Sequence, residues 1–348
     1  MATLKVFLNL SIALVVLYVV IKLFSKAFDL CAKKYGDLDP KIKKTVNIIF
    51  AVVILGWPFL TSGVPYIQRT SIMILVYVVL ALSLNFVLGF AGQLSMGHSA
   101  FYGIGAYITA LLMVNLKVSF WIALPLSAAG AALFGFILGL PTLRLKGDYL
   151  AIVTIGFGEI IRLVLVNWIS LTRGPAGIPG IPSPSIFGFV LGDNIHFYYL
   201  LLGLAVITVF ISVRLLNSRL GRGMIAVMDD EIAADAMGVN STKLKVLAFV
   251  LGAAVAGACG SLFATFIHYV NPDNFTYMES VTILCMVVLG GVGSVPGVIA
   301  GAAILTIMPE MLRDISTYRY AIYGLLLIVM MIVRPQGMIS SSGRRRSS

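Results

Sequence analysis

Hydrophobic residues in this chain come in long runs, and the polar residues are gathered into short stretches between them. Runs at 4–24, 45–60, 70–88, 120–143, 197–216, 244–269 and 320–333 reach or approach the length that crosses a bilayer core about 30 Å thick. Another run ends at Leu116, and another begins after Gly147. The pattern predicts an all-α fold, a polytopic transmembrane helix bundle of about nine to ten spans. Basic residues mark the cytoplasmic ends of such spans. The loop after the first run carries Lys26, Lys33, Lys34, Lys41, Lys43 and Lys44, which places it in the cytoplasm and the N-terminus outside. The Gly/Pro-rich loop 170–195 has one basic residue, Arg173, and suits the outer face, as does the turn at 271–274.

Two runs are interrupted. Residues 281–307 are broken at 290–297 by Gly-Gly-Val-Gly-Ser-Val-Pro-Gly, which cannot continue an ideal helix. A re-entrant pair of half-helices there turns the last span so that Arg334 and Arg344–Arg346 end in the cytoplasm. The second interruption is 89–105, Gly-Phe-Ala-Gly-Gln-Leu-Ser-Met-Gly-His-Ser-Ala-Phe-Tyr-Gly-Ile-Gly. Irregular backbone at membrane depth is tolerated where it is buried in protein or lines a wet cavity. Asn85, Gln93, Ser95, His98 and Ser99 are therefore candidates for lining a translocation path; the competing role is close helix packing by small residues. Glu159 and Arg162 stand three apart on one helical face, as path residues or as a structural ion pair near the outer interface. In 244–269, Gly252, Ala256 and Gly260 recur every fourth place, a helix-packing face.

The polar stretch 217–245 is of another kind. Asp229, Asp230, Glu231 and Asp235 crowd together, while Ile225, Met228, Ile232 and Ala236 recur at three and four and predict one amphipathic helix over 224–237. Arg222 precedes it, Gly238 suits a left-handed C-terminal residue, and Asn240 or Ser241 can cap the next helix. Arg214, Arg219, Arg222, Lys243 and Lys245 place it in the cytoplasm. It is a docking helix for a cytoplasmic partner or a solvated connector; the acidic face disfavours anionic lipid.

Composition narrows the functions. The chain is 59% hydrophobic and 11% charged, with mean hydropathy +1.01, whereas soluble domains carry about 25% charged residues. The net charge of +11 sits at span ends and gives no surface for nucleic acid. Cys31, Cys259 and Cys285 lie far apart and form neither a metal motif nor a disulfide framework. No phosphate-binding Gly-x-x-x-x-Gly-Lys-Ser/Thr loop, zinc-protease motif or nucleophile elbow occurs, so the chain is read as no enzyme, without an ATPase site or a metal of its own.

Several stretches in order are familiar. FVLGFAGQLSMGHSAFYGIGAYITALL from Phe86, GDYLAIVTIGFGEIIRLV from Gly147, GRGMIAVMDDEIAADAMGVN from Gly221, NPDNFTYMES from Asn271 and VVLGGVGSVPGVIAGAAIL from Val287 resemble the LivM-type branched-chain amino-acid permeases of ABC importers. The resemblance covers about 66–337. It implies a type II ABC importer permease domain there, after extra spans at 1–65 and before a basic disordered tail at 338–348. It also implies a LivH-type second permease, two cytoplasmic ATP-binding subunits that carry the ATP and Mg, and an extracytoplasmic amino-acid-binding protein. The segment 222–238 then corresponds to the coupling helix, with Arg222, Ile225, Met228, Asp229, Asp230, Glu231, Ile232, Ala233, Ala234 and Gly238 as ATPase-coupling residues. The family's Glu-Ala-Ala-x-x-x-Gly pattern is met by Ala233, Ala234 and Gly238, but Glu231 stands one place early. The expected function is import of leucine, isoleucine and valine across the cytoplasmic membrane. The rivals are the same machine for urea or short amides, an ion-coupled secondary transporter, and a membrane scaffold.

Overall fold

The computed structural model describes residues 52–311 apart from 62, 143, 144, 146 and 187, together with 324, 337 and 338. The expected first span, the basic loop, the last span 320–333 and the Arg-rich tail lie outside the described residues.

After a helical stretch at 52–60 the chain forms α1 (Pro65–Asn85), which runs into one π-helical turn, Phe86–Phe90. Pro65 opens α1 where its missing N–H costs nothing. Then follow α2 (His98–Val114), α3 (Phe120–Thr142) and α4 (Asp148–Asn167). The connection after α4 holds a four-residue α5 (Ile169–Thr172) and strands β1 (Ile178–Pro179), β2 (Ser185–Ile186) and β3 (Phe189–Val190). Next come α6 (Asn194–Leu216), α7 (Arg219–Asp229), α8 (Glu231–Ala236), α9 (Ser241–Ile267), β4 (Tyr269–Val270), α10 (Tyr277–Gly290) and α11 (Val295–Met311).

Among the described residues five helices are long and apolar enough to cross a membrane, and α2 and part of α11 are shorter apolar helices. The protein is a multi-pass membrane protein. The apolar window is 72% buried in α1 and in α9 but 17% in α4, so α1 and α9 form the centre and α4 presents most of its surface outward. The small residues of α9 explain its position. A methyl group added at Gly252 would meet Ser83 O, one at Gly257 would meet Ala131 and Ser127 O, and one at Gly260 would meet the backbone of Tyr102 and Ala106. Backbones approach this closely only without side chains between them.

The interruption at 290–297 is real and is a tight helical hairpin. Gly290 lies against Gly297 O and Gly301 against Met286 O, so α10 and α11 pack antiparallel about the Gly291–Ser294 turn. Gly291 and Gly293 both have positive φ, which glycine adopts without a side-chain clash. β1 pairs with β4, and β2 with β3. The 271–274 turn is a 3-10 helix, Pro272–Phe275, in which Asn271 accepts from Asp273 N at 2.9 Å.

Candidate functional site

The polar segment 217–245 holds two short helices before α9, which corrects the expectation of one over 224–237. Ser218 caps α7 by accepting from Gly221 N, so the helix begins earlier, and Arg222 lies inside it, donating to Asn217 O. At Asp230 the backbone becomes extended (φ −153, ψ 106), and its carboxylate caps α8 by accepting from Ile232 N at 2.9 Å and Ala233 N at 3.0 Å. The predicted stripe assumed one helical phase, and the extended residue resets it. Gly221, Met224 and Val227 of α7 and Ala234 of α8 are the buried positions; Ile225 and Met228 are half-buried. Ile232 is 77% exposed, and Asp229, Ala233 and Ala236 also face outward. Gly238 has φ +81, as the C-terminal position requires, and Asn240 caps α9 through Lys243 N.

Two contacts that the sequence did not suggest fix this segment. Glu231 Oε1 accepts from Lys245 Nζ at 2.5 Å, and Lys245 is 4% exposed. Asp235 accepts from Ser241 N and Ser241 Oγ at the start of α9. Glu231 therefore faces the body of the protein, although it sits in the acidic run assigned to a partner.

The interruption at 89–105 is a non-helical passage from 91 to 97 between the π turn and α2, mostly buried in protein. Asn85, at the last residue of α1, accepts from Gly293 N at 2.9 Å, and its Nδ2 has no partner. The first break is thereby tied to the second. His98 Nε2 lies 2.7 Å from Ser83 Oγ, with Nδ1 unpartnered, and the ring stands edge-on to Phe101. Ser99 and Ser280 are hydrogen-bonded at 2.7 Å, and Ser99 Oγ also reaches Thr276 O at 2.9 Å. Ser95 Oγ is buried without a partner, and Gln93 Nε2 donates to Ala91 O. The glycines here serve packing: Gly97 lies on Thr154 O, Gly103 on Phe275, and Gly105 on Gly257. A methyl added at Gly92 would lie 2.6 Å from Met228 Cγ, so α7 rests directly on the 91–97 passage.

Glu159 and Arg162 pair at 3.0 Å, and Arg162 also reaches Asp273 at 3.5 Å. Glu159 and Arg162 are each about one-third exposed. The group joins α4 to the 271–274 turn, apart from the hydrogen bonds that link Asn85, His98 and Ser99 to their neighbours. Among the described residues no group of three or more His, Cys, Asp or Glu side chains is arranged to hold a metal ion.

The order of these features along the chain matches a known pattern. The protein-family model for the permease component of branched-chain amino acid transport systems matches residues 66–333. The chain belongs to that family. It is 42% identical over 320 residues to the high-affinity branched-chain amino acid transport system permease protein LivM of Salmonella typhimurium, covering 85% of this chain and 75% of the relative. LivM of Escherichia coli is 41% identical over the same shares. LivH of Escherichia coli, the permease protein of the same transport system, is 28% identical over 76% of this chain and 91% of the relative. No solved structure matches the chain. Within the family's matched region lie both breaks and the α7–α8 segment; the first sixty residues fall outside it.

Proposed function

We propose that the chain is a permease subunit of an ATP-driven importer that carries leucine, isoleucine and valine across the cytoplasmic membrane. The observation that carries this reading is its 42% identity with a LivM permease protein across three quarters of that protein. Its similarity to LivH supports a LivH-type second permease beside it. Two cytoplasmic ATP-binding subunits, which hold the ATP and Mg, and an extracytoplasmic amino-acid-binding protein complete the assembly. This subunit contributes no ATPase site. The α7–α8 segment docks on an ATPase through Ile232 and its exposed neighbours. The 91–97 passage, with Asn85, Gln93, Ser95, His98 and Ser99, borders the path; Glu159 and Arg162 stand at its outer margin.

The count of nine to ten spans adds the apolar runs 4–24 and 320–333 of the sequence to the helices named above, with α10 and α11 as the re-entrant pair. What supports a cytoplasmic C-terminus is a series of contacts at one end of the molecule. Met338 N donates to Leu289 O at 3.0 Å, Gly337 lies on Gly291, Asn85 holds Gly293, and Gly92 meets Met228 of α7.

The test is uptake of labelled leucine and of urea into proteoliposomes, with and without the ATP-binding subunits and the binding protein. Leucine uptake that requires both is the expected result. Preferred transport of urea, or uptake by the permeases alone, would overturn the reading.

A further inference from the structure

The α7–α8 segment is held to the rest of the protein by two unlike attachments. α7 rests on the 91–97 passage through the Met228–Gly92 contact. α8 is bound to the start of α9 by Glu231 on Lys245 and by Asp235 on Ser241. Asp230 lies between them in extended backbone, so the two helices share no continuous hydrogen-bond ladder. A six-residue helix has no stability of its own and takes its position from what it is attached to. The side chain of Lys245 is 4% exposed, and a buried charge is retained only with a partner. Glu231 is that partner, and its side chain is 20% exposed.

We propose that Glu231 is a positioning residue: paired with Lys245, it clamps α8 to α9, so that a displacement imposed at Ile232 by the docked ATPase moves α8 and the start of α9 as one unit. Without the clamp, α8 yields with the ATPase and less of the movement reaches α9. The two ATPase states shift the permease only if they hold α8 in different positions that the rest of the chain must follow. This inference rests on the docking role given to the segment above.

The experiment reads leucine transported per ATP hydrolysed in purified complexes of the permeases, the ATP-binding subunits and the binding protein. Complex yield does not move that ratio. Glu231→Lys and Lys245→Glu each lower it at least tenfold, and the exchanged pair E231K/K245E recovers to within about threefold of wild type. If Lys245→Glu is near wild type, or if the exchanged pair is no better than Glu231→Lys alone, Glu231 acts on the ATPase surface and the proposal falls. Should the reversals fail to assemble, Glu231→Gln and Lys245→Gln replace them: both lower the ratio at least threefold, and a wild-type ratio in either overturns the proposal. Failure of the docking role itself is seen separately, as ATP-binding subunits that stay bound after Ile232→Asp.

Discussion

Ile232 shows how a side chain can be read correctly for its chemistry and incorrectly for its surroundings. Its spacing from Met228 suggested a shared buried stripe, but the cap made by Asp230 turns it outward, to 77% exposure. None of the described residues covers this isoleucine. Burying such a side chain against a partner is worth about 1.5–3 kcal/mol, roughly a tenfold to hundredfold change in affinity. Ile232→Asp should therefore reduce co-purification of the ATP-binding subunits at least tenfold, at unchanged permease yield. Asp230→Asn should leave it nearly unaltered, because asparagine caps helices as well as aspartate does, whereas Asp230→Ala should destabilise α8 by about 0.5–2 kcal/mol. Gly238 has open space around it, so Gly238→Val tests backbone alone; the left-handed conformation should cost about 1–2 kcal/mol, visible as weaker ATPase binding. The acid run was legible as a group, but not the division of labour within it. Asp230 caps, Asp235 tethers and Glu231 pairs inward, and each role depends on an atom placed by the fold.

At the level of elements, apolar run length located the long helices among the described residues, at 70–88, 120–143, 197–216 and 244–269, because the bilayer requires a fixed helix length whatever the side chains touch. The two breaks were also legible, from Gly and Pro that no straight helix accommodates. What periodicity could not give was a change of phase within a polar segment, since a single extended residue leaves no mark on a three-four pattern. Packing on α9 was readable as a small-residue face, and it predicts its own sensitivity. Gly257→Val and Gly260→Val force a side chain into backbone, and each should destabilise the bundle by about 1–3 kcal/mol, seen as a lower thermal midpoint in detergent. Gly203→Ala, where nothing lies within 4 Å, should not change it. Gly92→Leu should displace Met228 and also strain a backbone at φ +67, lowering leucine uptake; Met228→Ala in the same chain should restore only the part due to the contact, and no rescue at all would mean that the backbone strain, not the contact, sets the loss.

For the molecule as a whole, similarity to LivM and LivH establishes the family, and the polar residues at the breaks give the path its candidates. Cysteines placed at Ser95, His98 and Ser99 in the assembled importer should react with a water-soluble thiol reagent, faster in one nucleotide state than in another. Uniformly inert cysteines would reduce these residues to packing. The purified chain alone should neither hydrolyse ATP nor transport leucine. The long-range pairs of this region, Asn85 with Gly293 and Ser99 with Ser280, were not legible in the sequence, because nothing local to either partner specifies the other.

Those same pairs bear on how the protein is made. Ser99 and Ser280 are 181 positions apart and Asn85 and Gly293 are 208 apart. At about 5–20 residues per second, the ribosome supplies the second partner roughly 10–40 s after the first. For that interval the amide oxygen of Asn85 and the hydroxyl of Ser99 are without the groups that later bond them. A nascent chain stopped before Tyr277 should therefore be inserted yet remain a substrate for membrane proteases, with a half-life in pulse-chase several-fold shorter than that of a chain stopped after Met311. Equal half-lives would mean that earlier neighbours satisfy these groups while the later helices are still being translated.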